Sequence, residues 1–171
     1  MQFCEKCGAK TMPEKSFRRC TKCGSTYFQN PKAAVAVILY SHDKQQLLLG
    51  VRAREPQKGT LDSIGGFLDT GENFETALYR ELKEESGLTT YDIMNLYYIG
   101  SSYDAYDWEG VDVPVTSAYF MAQLNDGAIY TASDDIEKLS MHPIDALDYD
   151  NFAWDGLRSM VRKTVQLLEE M

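Results

Sequence analysis

At 171 residues, with 44% hydrophobic and 25% charged residues, the chain has room for one globular domain and a small appendage. Its longest strongly apolar stretch, residues 33–40, has the length of a strand and is too short to span a membrane. No basic start followed by an apolar run opens the sequence, so the expectation is a cytosolic protein without a membrane partner. The formal charge of −9 argues against non-specific nucleic-acid binding, which rests on phosphate neutralisation by Lys and Arg. A small phosphorylated ligand stays open, because a bound cation can reverse the local field.

Residues 1–30 hold all four cysteines, are rich in Lys and Arg, and offer little from which to build a core. Cys4-x-x-Cys7-Gly8 and Cys20-x-x-Cys23-Gly24 form two similar knuckles separated by 12 residues. Thiolates paired in this way can meet at one tetrahedral ion, and the glycine permits the turn that aims backbone N–H groups at sulfur. Disulfides and a redox pair are the competing readings. Nothing indicates secretion, and the motif occurs twice outside any βαβ pattern, so a structural Zn²⁺ held by Cys4, Cys7, Cys20 and Cys23 is expected.

From Pro31 onward, apolar periodicity takes over. Residues 33–40 and 46–52 predict two strands around a turn at 41–44, and residues 54–59 read as a loop. Residues 73–86 predict a helix with Asn73 as N-cap, an apolar stripe of Phe74, Ala77, Leu78 and Leu82, and Gly87 as terminator. Further strands are expected at 96–101 and 115–124. A second amphipathic helix is expected over 152–170, with Leu157, Met160, Val161, Val165 and Leu168 facing inward. Such an order predicts an α/β fold with a mixed sheet between helical layers.

On the first of these helices Glu81, Glu84 and Glu85 lie at i, i+3 and i+4, sharing an arc roughly 100° wide. They also occupy its last turns, where the macrodipole disfavours negative charge. A hard divalent cation with oxygen ligands would offset that cost. Taken by itself, the spacing more commonly marks a solvated acidic face.

The residues before the helix extend the pattern. Gly66, then Glu72, then Arg80-Glu81-Leu82-Lys83-Glu84-Glu85-Ser86-Gly87-Leu88 fill nine fixed positions over 23 residues. This resembles the Nudix box (glycine, five residues, glutamate, seven residues, Arg-Glu-aliphatic-x-Glu-Glu-x-Gly-aliphatic). The resemblance implies an α/β/α sandwich over 31–171 and hydrolysis of a nucleoside diphosphate linked to another moiety. It further implies that Glu81, Glu84 and Glu85, with the carbonyl of Gly65, bind Mg²⁺ or Mn²⁺. Arg80 would pair with Glu72, and Glu81 would be the general base. Ser63-Ile64-Gly65-Gly66 stands where many members have Leu-Pro-Gly-Gly. Asp135, in Asp134-Asp135-Ile136-Glu137, is a candidate for a further acidic ligand, with a helix N-terminus favouring acids as the alternative.

A zinc ribbon ahead of such a domain is similar to the arrangement in NADH pyrophosphatases. The Ser-Gln-Pro-Trp-type motif of that subfamily is missing from residues 100–114, so NADH specificity does not carry over. Tyr103, Tyr106 and Trp108 in that stretch are candidates to stack on a base, with packing on the sheet as the alternative. Arg52, Arg54 and Lys58 are candidates to meet phosphate, with plain surface charge as the alternative. Phe152 and Trp154 read as core or helix packing. Two function classes follow: an enzyme acting on a small nucleotide, and a non-catalytic ligand sensor or partner-binding module that docks through the ribbon. A homodimer is compatible with either.

Overall fold

Two short cysteine-bearing turns and three brief strands make up the N-terminal part of the computed structural model, which describes residues 2–171. The strands are β1 (Thr11–Pro13), β2 (Phe17–Cys20) and β3 (Thr26–Phe28), paired antiparallel in that order. Each Cys-x-x-Cys knuckle closes on a glycine in the left-handed region: Gly8 donates to the Cys4 carbonyl at 2.8 Å and Gly24 to that of Cys20 at 3.2 Å. Only Cys4, Thr11 and Cys20 are buried among the described residues of this part. So small an interior cannot offset the conformational entropy of about 30 ordered residues. The chain divides into two compact units after Pro31.

The second unit, Lys32–Met171, is built on β4 (Lys32–Tyr40), which pairs in parallel with β9 (Val111–Leu124) from Lys32↔Val115 to Tyr40↔Gln123. β8 (Ile93–Trp108) lies antiparallel to β9, and β5 (Gln46–Arg52) antiparallel to both β4 and β10 (Ile136–Pro143). The sheet is therefore mixed, in the order β10-β5-β4-β9-β8. Strand period puts alternate residues of β4 and β9 on opposite faces. Val35, Val37, Leu39, Phe120 and Ala122 pack under α1 (Phe74–Ser86), beside Ala77, Leu78 and Leu82. Ala36, Ile38, Tyr40, Tyr119 and Met121 pack under α2 (Asp155–Glu170), beside Leu157, Val161 and Leu168. The expected α/β/α sandwich is present. No helix among the described residues is long and apolar enough to cross a membrane.

The sheet opens where function is expected. β4 and β5 stay paired only at Leu39↔Leu48 and Tyr40↔Leu47. Beyond that point β5 turns to β6 (Leu61–Asp62), while β4 pairs with β7 (Ile64–Phe67) through Ala36↔Gly65 and Val35↔Gly66. The segment from Leu61 to Phe67 thus crosses from one strand to the other and lays its two glycines over the C-terminal half of α1.

Several boundaries differ from expectation for identifiable reasons. Phe74 is 37% exposed and lies outside the apolar stripe of α1, being in the first turn beyond the edge of the sheet core. α2 starts at Asp155, because Phe152 is buried in extended backbone, Ala153 is buried in a bend and Trp154 is the N-cap. Met160 and Val165 are half-buried against the core. The two short strands expected at 96–101 and 115–124 are parts of one long hairpin. It closes through Trp108↔Val111 over Glu109-Gly110, both at positive φ as a two-residue primed turn requires. Residues 136–143 form edge strand β10 with a bulge near its start. No helix follows Asp134-Asp135, and the helix-terminus explanation for those acids is withdrawn.

Candidate active site

α1 begins where Asn73 accepts a 2.8 Å hydrogen bond from Thr76 N–H and ends where Gly87 takes the left-handed conformation, φ 73°. These caps fix which turns carry the carboxylates. Arg80 spreads its guanidinium fork over the loop that precedes the helix. Its Nε and Nη2 donate to the two oxygens of Glu72 at 2.8 and 2.9 Å, and Nη2 also donates to the Phe67 carbonyl at 2.9 Å. Glu72 in turn accepts from Asp69 N–H at 2.8 Å. These bonds, Arg80 first, hold the Glu72 carboxyl down at about 2. The bidentate geometry makes the loop from Phe67 to Asn73 one rigid piece with the helix.

The remaining donor, Arg80 Nη1, bonds Glu81 at 2.7 Å and Glu84 at 3.0 Å. Glu85 points inward and accepts from Gly65 N–H at 2.9 Å. It is 4% exposed, and burial, reinforced by the charges of Asp62, Glu81 and Asp135, pushes its carboxyl up to about 9. Burial also raises Glu81, with Glu84 and Asp134 adding to the shift. Glu81 Oε2, Glu84 Oε1 and Glu85 Oε1 have no hydrogen-bond partner among the described residues. Oxygen-only donors and a buried acid without a countercharge fit a hard divalent cation. The three carboxylates do not by themselves draw together within 4.8 Å, because Arg80 occupies the space between Glu81 and Glu84.

The Gly65-Gly66 pair is needed for this approach. A Cβ on Gly65 would overlap the Val35 carbonyl of the neighbouring strand, and one on Gly66 would overlap the Glu81 carboxylate. Gly66→Ala should therefore displace Glu81 and cut activity at least about tenfold, while Gly65→Ala should break the β4–β7 pairing and lower stability. Thermal melts beside activity assays separate the two. Equal, small effects of both substitutions would show that the glycines do not set the close approach.

Asp135 stands beside this cluster with its carboxylate 2.9 Å from Arg54 Nη1, and Arg54 also reaches Asp134 at 3.6 Å. Arg54 is exposed, whereas Asp135 is half-buried. Arg52 is not a surface charge: it is buried, with Nη1 2.7 Å from Asp62 and Nε donating to the Pro56 carbonyl at 2.9 Å. Its guanidinium lies 5.5 Å from the Trp154 ring centre. Lys58 is exposed on the loop after β5.

A cleft opens beside Gly65-Gly66, lined by Arg52, Asp62, Asp104, Tyr106, Tyr119 and Trp154 among others. Tyr106 is central to its aromatic wall, with ring centres 5.4 Å from Trp154, 5.6 Å from Phe67 and 6.2 Å from Trp108. Tyr103 lies one period out of step, on the opposite face of β8, and is 67% exposed. The structure thus joins Trp108 to Tyr106 and leaves Tyr103 apart. Asp62, Phe67 and Trp154 were missed by sequence reasoning. A buried Arg–Asp pair ten positions apart has no local spacing rule that could have revealed it.

In the N-terminal unit the four sulfurs come together. Cys4–Cys23, Cys7–Cys20 and Cys7–Cys23 are 3.6, 3.5 and 3.6 Å apart, and the four ligand atoms all lie within 4.8 Å of one another. Disulfide-bonded sulfurs would be roughly 2.05 Å apart, whereas thiolates at about 2.3 Å from a tetrahedral centre sit roughly 3.8 Å apart. Lys22 and Cys23 N–H groups point at Cys20 Sγ at 3.4 Å. Ser25, by its side chain first, pushes the Cys23 thiol down to about 6. The arrangement fits a zinc ribbon.

Comparison with known proteins agrees with this geometry. The NUDIX domain model matches residues 30–163. The chain is 36% identical over 104 residues to the NAD-capped RNA hydrolase NudC of Haemophilus influenzae, an overlap of 58% of this chain and 38% of that protein. It is 27% identical over 177 residues to NudC of Mannheimia succiniciproducens, covering 99% and 62%. The chain spans less than two thirds of the length of these relatives. Among solved structures, a NUDIX hydrolase from Nitrosomonas europaea superposes with a TM-score of 0.72 at 21% identity, over 99% of this chain and 92% of that one. An Ap4A hydrolase from C. elegans gives 0.65 at 21% identity, over 82% and 99%. These two likenesses speak for the fold.

Proposed function

The chain belongs to the NUDIX family, and from that premise we propose that it is a divalent-metal-dependent pyrophosphohydrolase. Its substrate is a nucleoside diphosphate linked to a second moiety: a dinucleotide, ADP-ribose or a nucleotide sugar. The observation that carries the reading is Glu85, buried on the acidic helix with no cationic partner, beside Glu81 and Glu84 with an unbonded oxygen each. Glu81, Glu84 and Glu85, with Gly65 and Asp135, are the proposed holders of Mg²⁺ or Mn²⁺. The bound cation would neutralise phosphate oxygens and lower the pKa of water.

This chain's own groups do the rest. Arg80 fixes Glu81 through the 2.7 Å bond to Oε1, which leaves Oε2 to take a proton from the attacking water. A new P–O bond forms as the bridging P–O bond breaks, and the leaving phosphate departs with the electron pair. Two phosphomonoesters result. Arg54, paired with Asp134 and Asp135, is the proposed phosphate contact beside those acids. Zinc in the four-cysteine site would supply the N-terminal unit with the interior it lacks.

The nucleoside is assigned to the cleft beside Gly65-Gly66, with Tyr106 and Trp154 as stacking surfaces and the Arg52–Asp62 pair as its polar floor. The named activity of the NudC relatives, hydrolysis of NAD-capped RNA, supports a diphosphate joining two nucleosides. Base–aromatic stacking is worth about 1–3 kcal/mol. Trp154→Ala is therefore expected to raise KM about 5- to 150-fold with kcat nearly unchanged, and Tyr106→Leu to act in the same sense. A fall in kcat at unchanged KM in both variants would remove the nucleoside from this cleft.

A further inference from the structure

The total charge of −9 averages over two units of opposite sign. Through Pro31 the chain carries six basic residues (Lys6, Lys10, Lys15, Arg18, Arg19 and Lys22) against Glu5 and Glu14, a net of +4 that four thiolates on one Zn²⁺ would reduce to +2. The remaining residues carry 11 basic and 24 acidic side chains, a net of −13. At about 0.1 M salt the screening length is about 10 Å, so a ligand at the surface of the first unit meets that unit's own charge. The objection to nucleic acid drawn from the whole-chain balance does not apply to it.

Within this unit one cation stands out. Most of the basic side chains are solvated, and Arg19 is paired with Glu14 at 3.1 Å. Arg18 is different: its Nε and Nη1 are shielded from solvent and have no hydrogen-bond partner among the described residues. It lines a cleft shared with Phe3, Tyr27, Phe28 and Gln29, in which Glu5 is the one acid. Phe28 is 71% exposed and Phe3 59%, an unusual use of large apolar rings on so small a surface. Unpaired guanidinium donors call for an anionic acceptor with several oxygens, and the exposed sides of Phe3 and Phe28, the latter tilted against Phe17 at 6.0 Å, suit flat, unstacked bases.

We propose that the N-terminal unit carries a second binding site, for the phosphodiester chain of a single-stranded nucleic acid, with Arg18 turning its guanidinium out of the shielded position onto a phosphate and Phe28 and Phe3 against bases. An acidic protein face would satisfy Arg18 but leaves the two exposed rings unexplained, so nucleic acid is the occupant the surface favours. The site acts through binding alone and stands whether or not the acidic helix hydrolyses a diphosphate.

The test is fluorescence anisotropy of the full, zinc-loaded chain with a single-stranded RNA of about twelve nucleotides that has no 5′ diphosphate, without other divalent cations. Saturable binding is expected that weakens as salt rises from about 50 to about 200 mM, with a log–log slope near −0.7 per phosphate contacted. Arg18→Gln should weaken it about tenfold or more, and Phe28→Ala about fivefold or more, while cleavage of a small dinucleotide by either variant stays at the wild-type rate. If Arg18→Gln sheds its zinc, Phe28→Ala decides. Absence of saturable RNA binding at low salt, wild-type binding by both variants, or tighter capture of polyglutamate than of RNA would each overturn the proposal. Loss of dinucleotide cleavage with RNA binding intact would count against the hydrolytic reading and leave this one standing.

Discussion

Glu84→Gln is expected to lower turnover of the diphosphate substrate by about 100-fold or more with the melting temperature essentially unchanged. Glu84 is the most exposed of the three box carboxylates, its side chain 47% accessible. Its one side-chain hydrogen bond among the described residues is the 3.0 Å bond from Arg80 Nη1, and glutamine keeps an oxygen for it. Removing one partner of so exposed a pair costs at most about 1 kcal/mol, and Arg80 retains Glu72, Glu81 and the Phe67 carbonyl. A charge meant for a cation, by contrast, has no neutral substitute. Steady-state kinetics beside a thermal melt checks both halves. A variant that retains most of its activity would mean that the acidic helix is a solvated face and not a metal platform.

The second large effect is expected at the cysteines. Cys20→Ser should abolish stoichiometric zinc and unfold the N-terminal unit, because this unit buries only three of its described side chains and two of them, Cys4 and Cys20, belong to the proposed zinc site. Structural zinc contributes roughly 10–16 kcal/mol in small domains of this kind, more than the roughly 2–5 kcal/mol that about 0.05–0.15 kcal/mol per residue allows a unit of this size. The second unit has its own two cores on either side of the sheet and should keep its thermal transition. Metal analysis and limited proteolysis measure the outcome, with cleavage expected before residue 32 in the variant only. Protease resistance at wild-type level without zinc would show that the strands of the ribbon hold themselves together.

The elements that were legible in the sequence are those whose signals are local. The cap at Asn73, the Ala77-Leu78-Leu82 stripe and the left-handed Gly87 define α1 within one residue. The strand at 46–52 and the turn before it were equally plain, since Leu47, Leu48 and Leu49 form a fully buried run. Also local are the knuckle spacing and the box. The rest was hidden because it depends on tertiary placement. The outer half of the β8–β9 hairpin projects beyond β4, and the half-buried positions of β8 that lead into it are filled by Ser102, Asp104 and Tyr106, so apolar alternation is missing. Trp154 looked like helix packing because its companion Phe152 is indeed core, yet it serves as the N-cap and lines the cleft. Arg52 looked like surface charge because nothing near it in sequence announces Asp62 as its partner.

The most direct measurement of the central claim is product analysis after incubating the protein with Mg²⁺ or Mn²⁺ and a set of diphosphates. NADH, NAD⁺, ADP-ribose, nucleotide sugars, diadenosine polyphosphates and nucleoside triphosphates cover the linkages at issue, and anion-exchange chromatography resolves what is released. The account predicts cation-dependent cleavage within the diphosphate of one class, giving two phosphomonoesters from a dinucleotide or sugar nucleotide and none from Glu84→Gln. Folded, zinc-loaded protein that binds one of these compounds saturably and cleaves none of them would contradict it, and would make the second unit a ligand sensor.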